Sequence, residues 1–599
     1  MAAPYNAPTK DMQFVLHELI GLDRVAKLPG CEEVSADLVD AILDEAAKFS
    51  RDVLAPLNWT GDVEGAAWKD GHVTTPKGFK AAYKQFADNG WGALKSDPDF
   101  GGQGLPNLVA TPVDEMIAAS NMAFSLCPML TQGAYEAIHL VGTPEQKKTY
   151  LHNMVSGKWT GTMNLTEPQA GSDLAAVRSK AVPQGDHYLI TGQKIYITYG
   201  EQDYTENIVH LVLARTPTAP EGVKGISLFI VPKFMANADG SLGKRNDVRC
   251  VSIEHKLGIH GSPTAVLAYG DNGGAVGYLI GEENRGLEYM FIMMNLARFA
   301  VGLEGVAIGE RAYQGAVAYA KDRVQGNEVG KKGGGRVAII KHPDVKRMLL
   351  SMKSQVEAMR AVAYYTAACL DNGQRNLDAE SKKREQFRAE LLIPIVKGWS
   401  TETGQEIAST GVQIHGGMGF IEETGAAQHY RDARITTIYE GTTAIQANDL
   451  IGRKLGRDAG ATMRALIEDM QKTAVALSAS DNADCKAIAA SLGKSIEGLG
   501  ASTVSIMESF SKNPQEPFAV SVPYLMQFGT VAGGWQMGAA ALVSANKLKA
   551  GSGDADFYKA KIATARFYAE HILPRAQALK MEVTSGAGSV LALDEAMFG

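Results

Sequence analysis

The sequence predicts a multi-domain α+β protein whose β structure is confined to one central stretch. Three observations carry this reading. The chain has 599 residues, too many for one ordinary core, so two to four packed units are expected. Its hydrophobic period changes from helical to strand-like near residue 161 and returns to helical after Gly286. From there, long helical patterns separated by short loops continue, as in a bundle. The expected organisation is an N-terminal helical domain (1–160), a middle antiparallel β-sheet or β-barrel domain (161–285), a C-terminal helical bundle (286–456) and an additional C-terminal helical domain (457–599).

Each element has a local reason. Leu38, Ile42, Leu43, Ala46 and Phe49 recur at helical spacing after Ser35, whose hydroxyl suits an N-cap. Phe100-Gly-Gly-Gln-Gly104 interrupts this region before a helical run from Leu108, and Thr143-Pro144-Glu145 is the start signal of another helix. In the middle region His187–Thr191, Lys194–Thr198, Ile208–Leu213 and Gly225–Val231 are short, β-branched or aromatic, and bounded by turn residues. The segment from Leu287 to about Asp322 reads as a long helix, with Met290, Met293 and Met294 as core packing. A glycine-rich loop, Gly326–Gly335, separates it from a helix that opens at Pro343 and stops near Asn372-Gly373; a third spans roughly Ser381 to Ser409. The alanine- and glycine-rich helical patterns after Arg457 break at Asn513-Pro514.

Composition excludes several classes. With 45% hydrophobic and 21% charged residues, a net charge of −7 and a pI near 6.0, the chain lacks the basic balance of a nucleic-acid-binding surface. Cys31, Cys127, Cys250, Cys369 and Cys485 have no CxxC or metal spacing and read as reduced thiols. The opening MAAPYNAPTKDMQF has neither the basic head nor the apolar run of a signal peptide, and no uninterrupted apolar run is long enough to span a bilayer. A cytoplasmic protein with no membrane span is expected. The Gly326–Gly335 loop lacks the P-loop pattern, and no GxGxxG joins a strand to a helix. His415 has no metal-spaced partners, so a packed or hydrogen-bonding histidine is expected and no metal site.

One motif points to chemistry. Ile438-Tyr-Glu-Gly-Thr442 puts a carboxylate on a tight Glu-Gly turn, preceded by apolar Ile435, Ile438 and Tyr439. An apolar cavity around Glu440 would raise its carboxyl from about 4.3, suiting it to take a proton from carbon. Gly441 lets backbone approach a ligand closely. By itself the turn reads more readily as a solvated glutamate; its company in the chain decides. Thr162-Met-Asn-Leu-Thr-Glu-Pro-Gln-Ala-Gly-Ser-Asp173, Gln193-Lys-Ile-Tyr-Ile-Thr198, Arg323 in Lys321-Asp-Arg-Val-Gln-Gly326, Gln413-Ile-His-Gly-Gly-Met-Gly-Phe420 and Arg434-Ile-Thr-Thr-Ile-Tyr-Glu-Gly-Thr442 follow one another. In this set and order the chain resembles the acyl-CoA dehydrogenase family over roughly residues 40 to 455.

The resemblance implies FAD, extended between the sheet domain and the second helical domain. Leu165 and Thr166 would meet the isoalloxazine, Tyr196 (often Trp in the family) would shield it, and the Thr198 hydroxyl would bond near N5 or O4. Arg323, Gln413 and Gly417 match residues that reach the adenosine and pyrophosphate of a neighbouring subunit's FAD, which implies a homodimer. Thr442 and Gln446 would hold the flavin near the base. Glu440 matches that base: it would take the pro-R α-proton of an acyl-CoA thioester while the β-hydride passes to flavin N5, giving a trans-2-enoyl-CoA. Its backbone N–H and a ribityl hydroxyl would polarise the thioester carbonyl. Ser172 matches a residue beside the pantetheine, Arg298 one near the CoA moiety, and Gly441 lies on the substrate side. An electron-transfer flavoprotein is the implied electron acceptor. The length, the insertion Gly222–Asn272 and the helical tail after 456 resemble the roughly 600-residue bacterial branch, which includes 3-(methylthio)propanoyl-CoA dehydrogenases and fatty acyl-CoA dehydrogenases. The expected substrate is 3-(methylthio)propanoyl-CoA or a similar short- to medium-chain straight acyl-CoA. A medium- to long-chain β-oxidation enzyme, an acyl-CoA oxidase and a DNA-associated relative are the alternatives, the last disfavoured by the net charge of −7.

Overall fold

The computed structural model describes residues 4–237, 239–331, 333 and 335–599; within the Gly326–Gly335 loop, Lys332 and Gly334 lie outside the described residues. Helices come first: α1 (Ala36–Phe49), α2 (Phe79–Asp88), α3 (Asn107–Ser120), α4 (Met122–Val141) and α5 (Pro144–Val155). The expected caps are present. Ser35 Oγ accepts from the Leu38 N–H at 3.2 Å, and Thr143 with Gln146 forms a capping box on α5. A hairpin of Ala67–Lys69 with His72–Thr74 also lies in this region; its three-residue strands are too short to give a periodic signal.

The chain divides into two compact units, one comprising Met1–Ala47, Pro106–Ala119 and Val301–Gly599, the other Lys48–Leu105 and Ser120–Ala300. The second unit holds the main sheet: β1 (Trp159–Asn164), β2 (Lys180–Gln184), β3 (His187–Thr198), β4 (Asn207–Ala214), β5 (Ser227–Pro232), β6 (Val248–Ile253), β7 (Thr264–Tyr269) and β8 (Ala275–Leu279). The order is β6-β7-β3-β8-β5-β4-β1, with β2 on β3. The expectation of an antiparallel sheet needs one correction: β1 and β4 run parallel, Trp159–Asn164 opposite 207–212. β1, β4 and β5 are buried along their whole length, so they lack the alternation by which half-buried strands are recognised. Trp159, Leu211, Leu228 and Ile230 share a core with Met290 and Met293, so the methionine run packs as expected.

The two strands expected at His187–Thr191 and Lys194–Thr198 are one strand with a bulge. Ala265 pairs Ile197 and Leu267 pairs Lys194, leaving Ile195 and Tyr196 opposite Val266 alone. Tyr196 takes φ +59° there.

The first unit is helical. Its elements are the C-terminal part of α6 (Gly286–Asp322), then α7 (Pro343–Arg375), α8 (Ala379–His415), α9 (Ala426–Thr436), α10 (Thr443–Asp449), α11 (Ala461–Ser478), α12 (Ala483–Lys512), α13 (Ser521–Lys549), α14 (Ala555–His571) and α15 (Arg575–Ser585). Between α6 and α7 the glycine-rich loop closes a small hairpin, Val324–Asn327 with Arg336–Ala338, that sequence did not suggest. α6 has the length and mean apolarity to cross a membrane, though charged residues interrupt its apolar run, and 61% of its most apolar window is buried inside the protein. The small residues of the tail permit close helix crossing. A Cβ on Gly529 or Gly533 of α13 would lie 2.1 Å or 2.9 Å from the Trp399 ring of α8, so the indole seats against bare backbone.

At the centre of this unit lies a buried charge cluster. Arg360 of α7 is 1% exposed. Its guanidinium donates to Glu115 Oε1 at 2.6 Å, Glu310 Oε2 at 2.7 Å and Asp11 Oδ2 at 2.7 Å. Tyr364 Oη donates to Glu115 Oε2 at 2.8 Å. Lys561 of α14 bridges Asp11 and Glu357. Burial alone would raise the Asp11 carboxyl, but the Lys561 and Arg360 charges outweigh it and hold it well below the usual range. Its contribution is therefore complete above its unfolded value of about 3.9 and is lost as pH falls through the lower folded value. Arg360→Met strands buried carboxylates without their cation. It is expected to cost about 3–5 kcal/mol, read as a lower urea midpoint, and to move acid unfolding to higher pH; an unchanged midpoint would contradict this role.

Candidate active site

Glu440 sits where the sequence put it, on the turn between α9 and α10. The turn is strained: Glu440 has φ +54° and Gly441 φ +89°. A non-glycine residue in that region costs on the order of 1–3 kcal/mol, so its surroundings must hold it. Lys397 of α8, 0% exposed, donates through Nζ to the Gly441 carbonyl at 2.7 Å. Gln446 Nε2 donates to the carbonyls of Glu440 and Gly441 at 3.0 and 3.2 Å. Gly441 is favoured by its positive φ, and a Cβ there would press on Gln446 Nε2 at 2.8 Å and disturb its bonds to the turn. Thr442 Oγ1 caps α10, accepting from the Ile445 N–H at 3.4 Å. Gln446 and Thr442, matched to the flavin side, thus bond to the Glu440-Gly441 turn and to the start of α10. The expected apolar cavity is only partly made by the neighbours named for it: Ile438 is 45% exposed, while Ile435, Tyr439 and Glu440 are half-buried.

The residues matched to the flavin ring lie in the second unit. Leu165, Thr166 and Thr198 are half-buried and Tyr196 is 61% exposed. The loop after β1 is tied to β3 at the bulge. Lys194 Nζ donates to the Leu165 carbonyl at 3.0 Å and to Glu167 Oε1 at 2.8 Å, and the Ile195 N–H donates to the Thr166 carbonyl at 3.0 Å. Glu167 also accepts from the N–H groups of Arg178 and Ser179 and from Ser179 Oγ. Burial opposes the Glu167 charge, yet Lys194 and these donors bring it down to about 2. Burial pushes Lys194 down to about 8 against the pull of Glu167. Both are therefore charged at neutral pH, and the pair is closed. Behind them Asn164 Nδ2 donates to Thr162 Oγ1 at 2.8 Å, which lies 2.7 Å from Nδ1 of buried His210.

These observations fit a flat ring system beside the bulge: a large aromatic held exposed in a strained conformation, with a loop whose carbonyls are already taken from behind. Glu167, Lys194 and Lys397 were not picked out from sequence as site residues. Glu167 and Lys194 stand inside quoted motifs, but their type alone suggests surface charge. Lys194→Met should loosen the Leu165–Thr166 loop and lower FAD affinity by about tenfold or more, the scale of about 1.4 kcal/mol per decade. The 450/280 nm absorbance ratio after gel filtration checks this, and a fully loaded variant would contradict it.

The other matched residues are scattered. Arg323, Gln413 and Gly417 are exposed on the first unit. His415 between them is buried, its Nδ1 2.7 Å from the Gly411 carbonyl and its ring stacked on Tyr319 at 4.4 Å, as expected of a packed histidine. Ser172 is exposed in the second unit. Arg298, matched to the CoA moiety, is 2% exposed, its guanidinium 5.8 Å from the Phe291 ring centroid. No cluster of metal-ligating residues occurs among the described residues, and all five cysteines are buried and free.

Comparison with known proteins accounts for most of the chain. Residues 38–158, 162–271 and 284–455 match the N-terminal, middle and C-terminal domains of acyl-CoA dehydrogenases, and 466–594 match "Acetyl-CoA dehydrogenase C-terminal like". The sequence is 49% identical to the 3-methylmercaptopropionyl-CoA dehydrogenase of Ruegeria pomeroyi, over 98% of this chain and 99% of that protein. It is 34% identical to the broad-specificity linear acyl-CoA dehydrogenase FadE5 of Mycobacterium tuberculosis, over 99% of this chain and 100% of that one. The fold matches Caenorhabditis elegans ACDH-11, solved in complex with C11-CoA, with a TM-score of 0.78 at 19% identity, covering 98% of this chain and 96% of that chain. With the ordered motifs, the helix–sheet–helix order and identity along the full length in agreement, the chain belongs to the acyl-CoA dehydrogenase family, FAD-dependent oxidoreductases acting on the CH–CH bond of acyl-CoA thioesters.

Proposed function

We propose that this enzyme converts 3-(methylthio)propanoyl-CoA, or a similar short- to medium-chain straight acyl-CoA, to the trans-2-enoyl-CoA, with Glu440 as the base. The observation that carries the substrate assignment is the 49% identity, along 98% of the chain, to a dehydrogenase named for that thioester. The base assignment is supported by the turn itself: a carboxylate held at φ +54° by Lys397 and Gln446.

In this reading Glu440 accepts the α-proton and so becomes neutral, while the α-carbon electron pair forms the double bond to the β-carbon. Bound FAD supplies the acceptor for the hydride that leaves the β-carbon. Leu165, Thr166, Tyr196 and Thr198 would hold it, with Lys194 and Glu167 fixing the loop from behind. Lys397 and Gln446 keep the Glu440 carbonyl side of the turn fixed, so the carboxylate reacts without reorganising its backbone. Ser172, Arg298 and Gly441 belong to the substrate side of the same proposal.

A second reading draws on the 34% identity to a broad-specificity linear acyl-CoA dehydrogenase. Sulfur in place of a methylene changes an acyl chain little, and apolar pockets separate such pairs by only about 1–3 kcal/mol. The exposed Arg323, Gln413 and Gly417 support a homodimer in which each copy completes its neighbour's FAD site. A cytoplasmic setting with an electron-transfer flavoprotein as acceptor completes the proposal.

Glu440→Gln should keep bound FAD but lose about 10²–10⁴-fold in flavin reduction by substrate, the usual weight of a general base; full anaerobic bleaching at the normal rate would refute the assignment. An anaerobic bleaching screen over short, medium, long and methylthio thioesters should show fastest reduction with the methylthio and short straight chains, and a long-chain optimum would favour the second reading. Light scattering of the holoenzyme should give twice the chain's 63.9 kDa; a monomer or a tetramer would contradict the dimer.

A further inference from the structure

A second carboxyl lies behind the base. Glu304 of α6 is 3% exposed and accepts a hydrogen bond from the hydroxyl of Tyr439, the residue immediately before Glu440. Burying an ionisable group is costly, and a glutamine could accept the same hydrogen bond without that cost. The groups facing it come from two elements besides its own helix: Tyr439 and Glu440 from the turn and Lys397 from α8, with Asp432 of α9 acting in turn on Tyr439. Burial is the largest influence on Glu304, followed by the Tyr439 hydrogen bond and Lys397, which lower it, and Glu440, which raises it; the carboxyl is pushed up to about 8. It therefore changes charge in the range where flavin reduction can be followed, unlike a solvated glutamate.

We propose that Glu304 is a positioning residue for the reaction: it anchors Tyr439, and through it the turn that carries the base, and its ionisation places a negative charge behind Glu440 that strengthens it as a proton acceptor. This rests on Glu440 being the base. Three side chains then hold the turn, two of them from the long helices α6 and α8. Glu304 on α6 takes the Tyr439 side chain, Lys397 on α8 takes the Gly441 carbonyl, and Gln446 closes the turn from α10. Glu304 and Lys397 carry opposite charges only when Glu304 is ionised, so the turn is held by a neutral acceptor at low pH and a charged one at high pH.

The test is the rate of anaerobic flavin reduction by saturating 3-(methylthio)propanoyl-CoA, measured on the holoenzyme between pH 6 and 9.5. The natural protein should show a rise of about threefold with a midpoint near 8, the order expected for a base strengthened by about one pKa unit. Glu304→Gln keeps an acceptor for Tyr439 but cannot ionise, so it should lose this step. Glu304→Leu removes the anchor and should slow reduction about tenfold at every pH while FAD stays bound. If that variant does not fold, Tyr439→Phe, which breaks the same hydrogen bond, carries the same expectation. A Glu304→Gln profile that keeps the step, or a Glu304→Leu rate equal to that of the natural protein, overturns the proposal. Glu440→Gln separates the two readings. If it is inert while the Glu304 variants behave normally, only Glu304 loses its role; if it reduces its flavin normally, the base assignment itself falls.

Discussion

The helical unit is organised around one guanidinium. Arg360 is buried with Glu115, Glu310 and Asp11 on its donors, and Lys561 closes the far side through Asp11 and Glu357. These groups come from the N-terminal arm, α3, α6, α7 and α14, segments up to 550 residues apart. A buried ion cluster adds little net stability against an apolar core of the same volume, but breaking it is expensive. Its effect is on arrangement. Apolar contacts tolerate sliding, whereas five N–H donors in a rigid fork accept only one placement of three carboxylates. The tail beyond residue 456 is bound into the unit by the same cluster, and α13 seats its glycines against Trp399 of α8.

The candidate site repeats this device twice on a smaller scale. Lys194 and Lys397 are both 0% exposed, and both direct an ammonium at a backbone carbonyl next to a strained residue. Lys194 reaches Leu165 beside the Tyr196 bulge; Lys397 reaches Gly441 beside Glu440. Strained φ values survive where the surroundings over-determine them, and a buried cation bonded to a neighbouring carbonyl is one such constraint. The cost of burying Lys194 is offset by Glu167, whereas Glu304, pushed up to about 8, opposes the Lys397 charge only once it ionises. Local rigidity at the β3 bulge and at the Glu440 turn is thus produced in part by buried cations bonded to backbone carbonyls.

Much of this was legible in the residues. The order helices, sheet, helices followed from the change of hydrophobic period, and the caps Ser35 and Thr143 from residue type and position. The Glu440 turn was legible because Glu-Gly between two patterned segments needs a tight reversal. Of the three strands buried along their whole length, β4 and β5 were legible as β-branched runs bounded by turn residues, whereas β1, without a period of two, was not. The join of two expected strands into β3 was hidden by Gly192, a turn-type residue at the break, which nonetheless pairs with Tyr269. The hairpin Val324–Asn327 with Arg336–Ala338 is too short to register. The surroundings of Arg298 and Gln446 were not legible either: the first is buried near the Phe291 ring and the second donates to the carbonyls of its own turn.

What the sequence by itself determined is the order of helices, sheet and helices and the place of the Glu440-Gly441 turn, because both depend on local pattern: periodicity, capping and a short motif. What only the tertiary structure decided is which charges are buried and whom they serve. Glu115, Glu167, Lys194, Glu304, Arg360 and Lys397 look in sequence like ordinary solvated side chains. Their partners lie up to 349 residues away, and a charged residue's role depends on the desolvation and the partner it meets, which no local window contains.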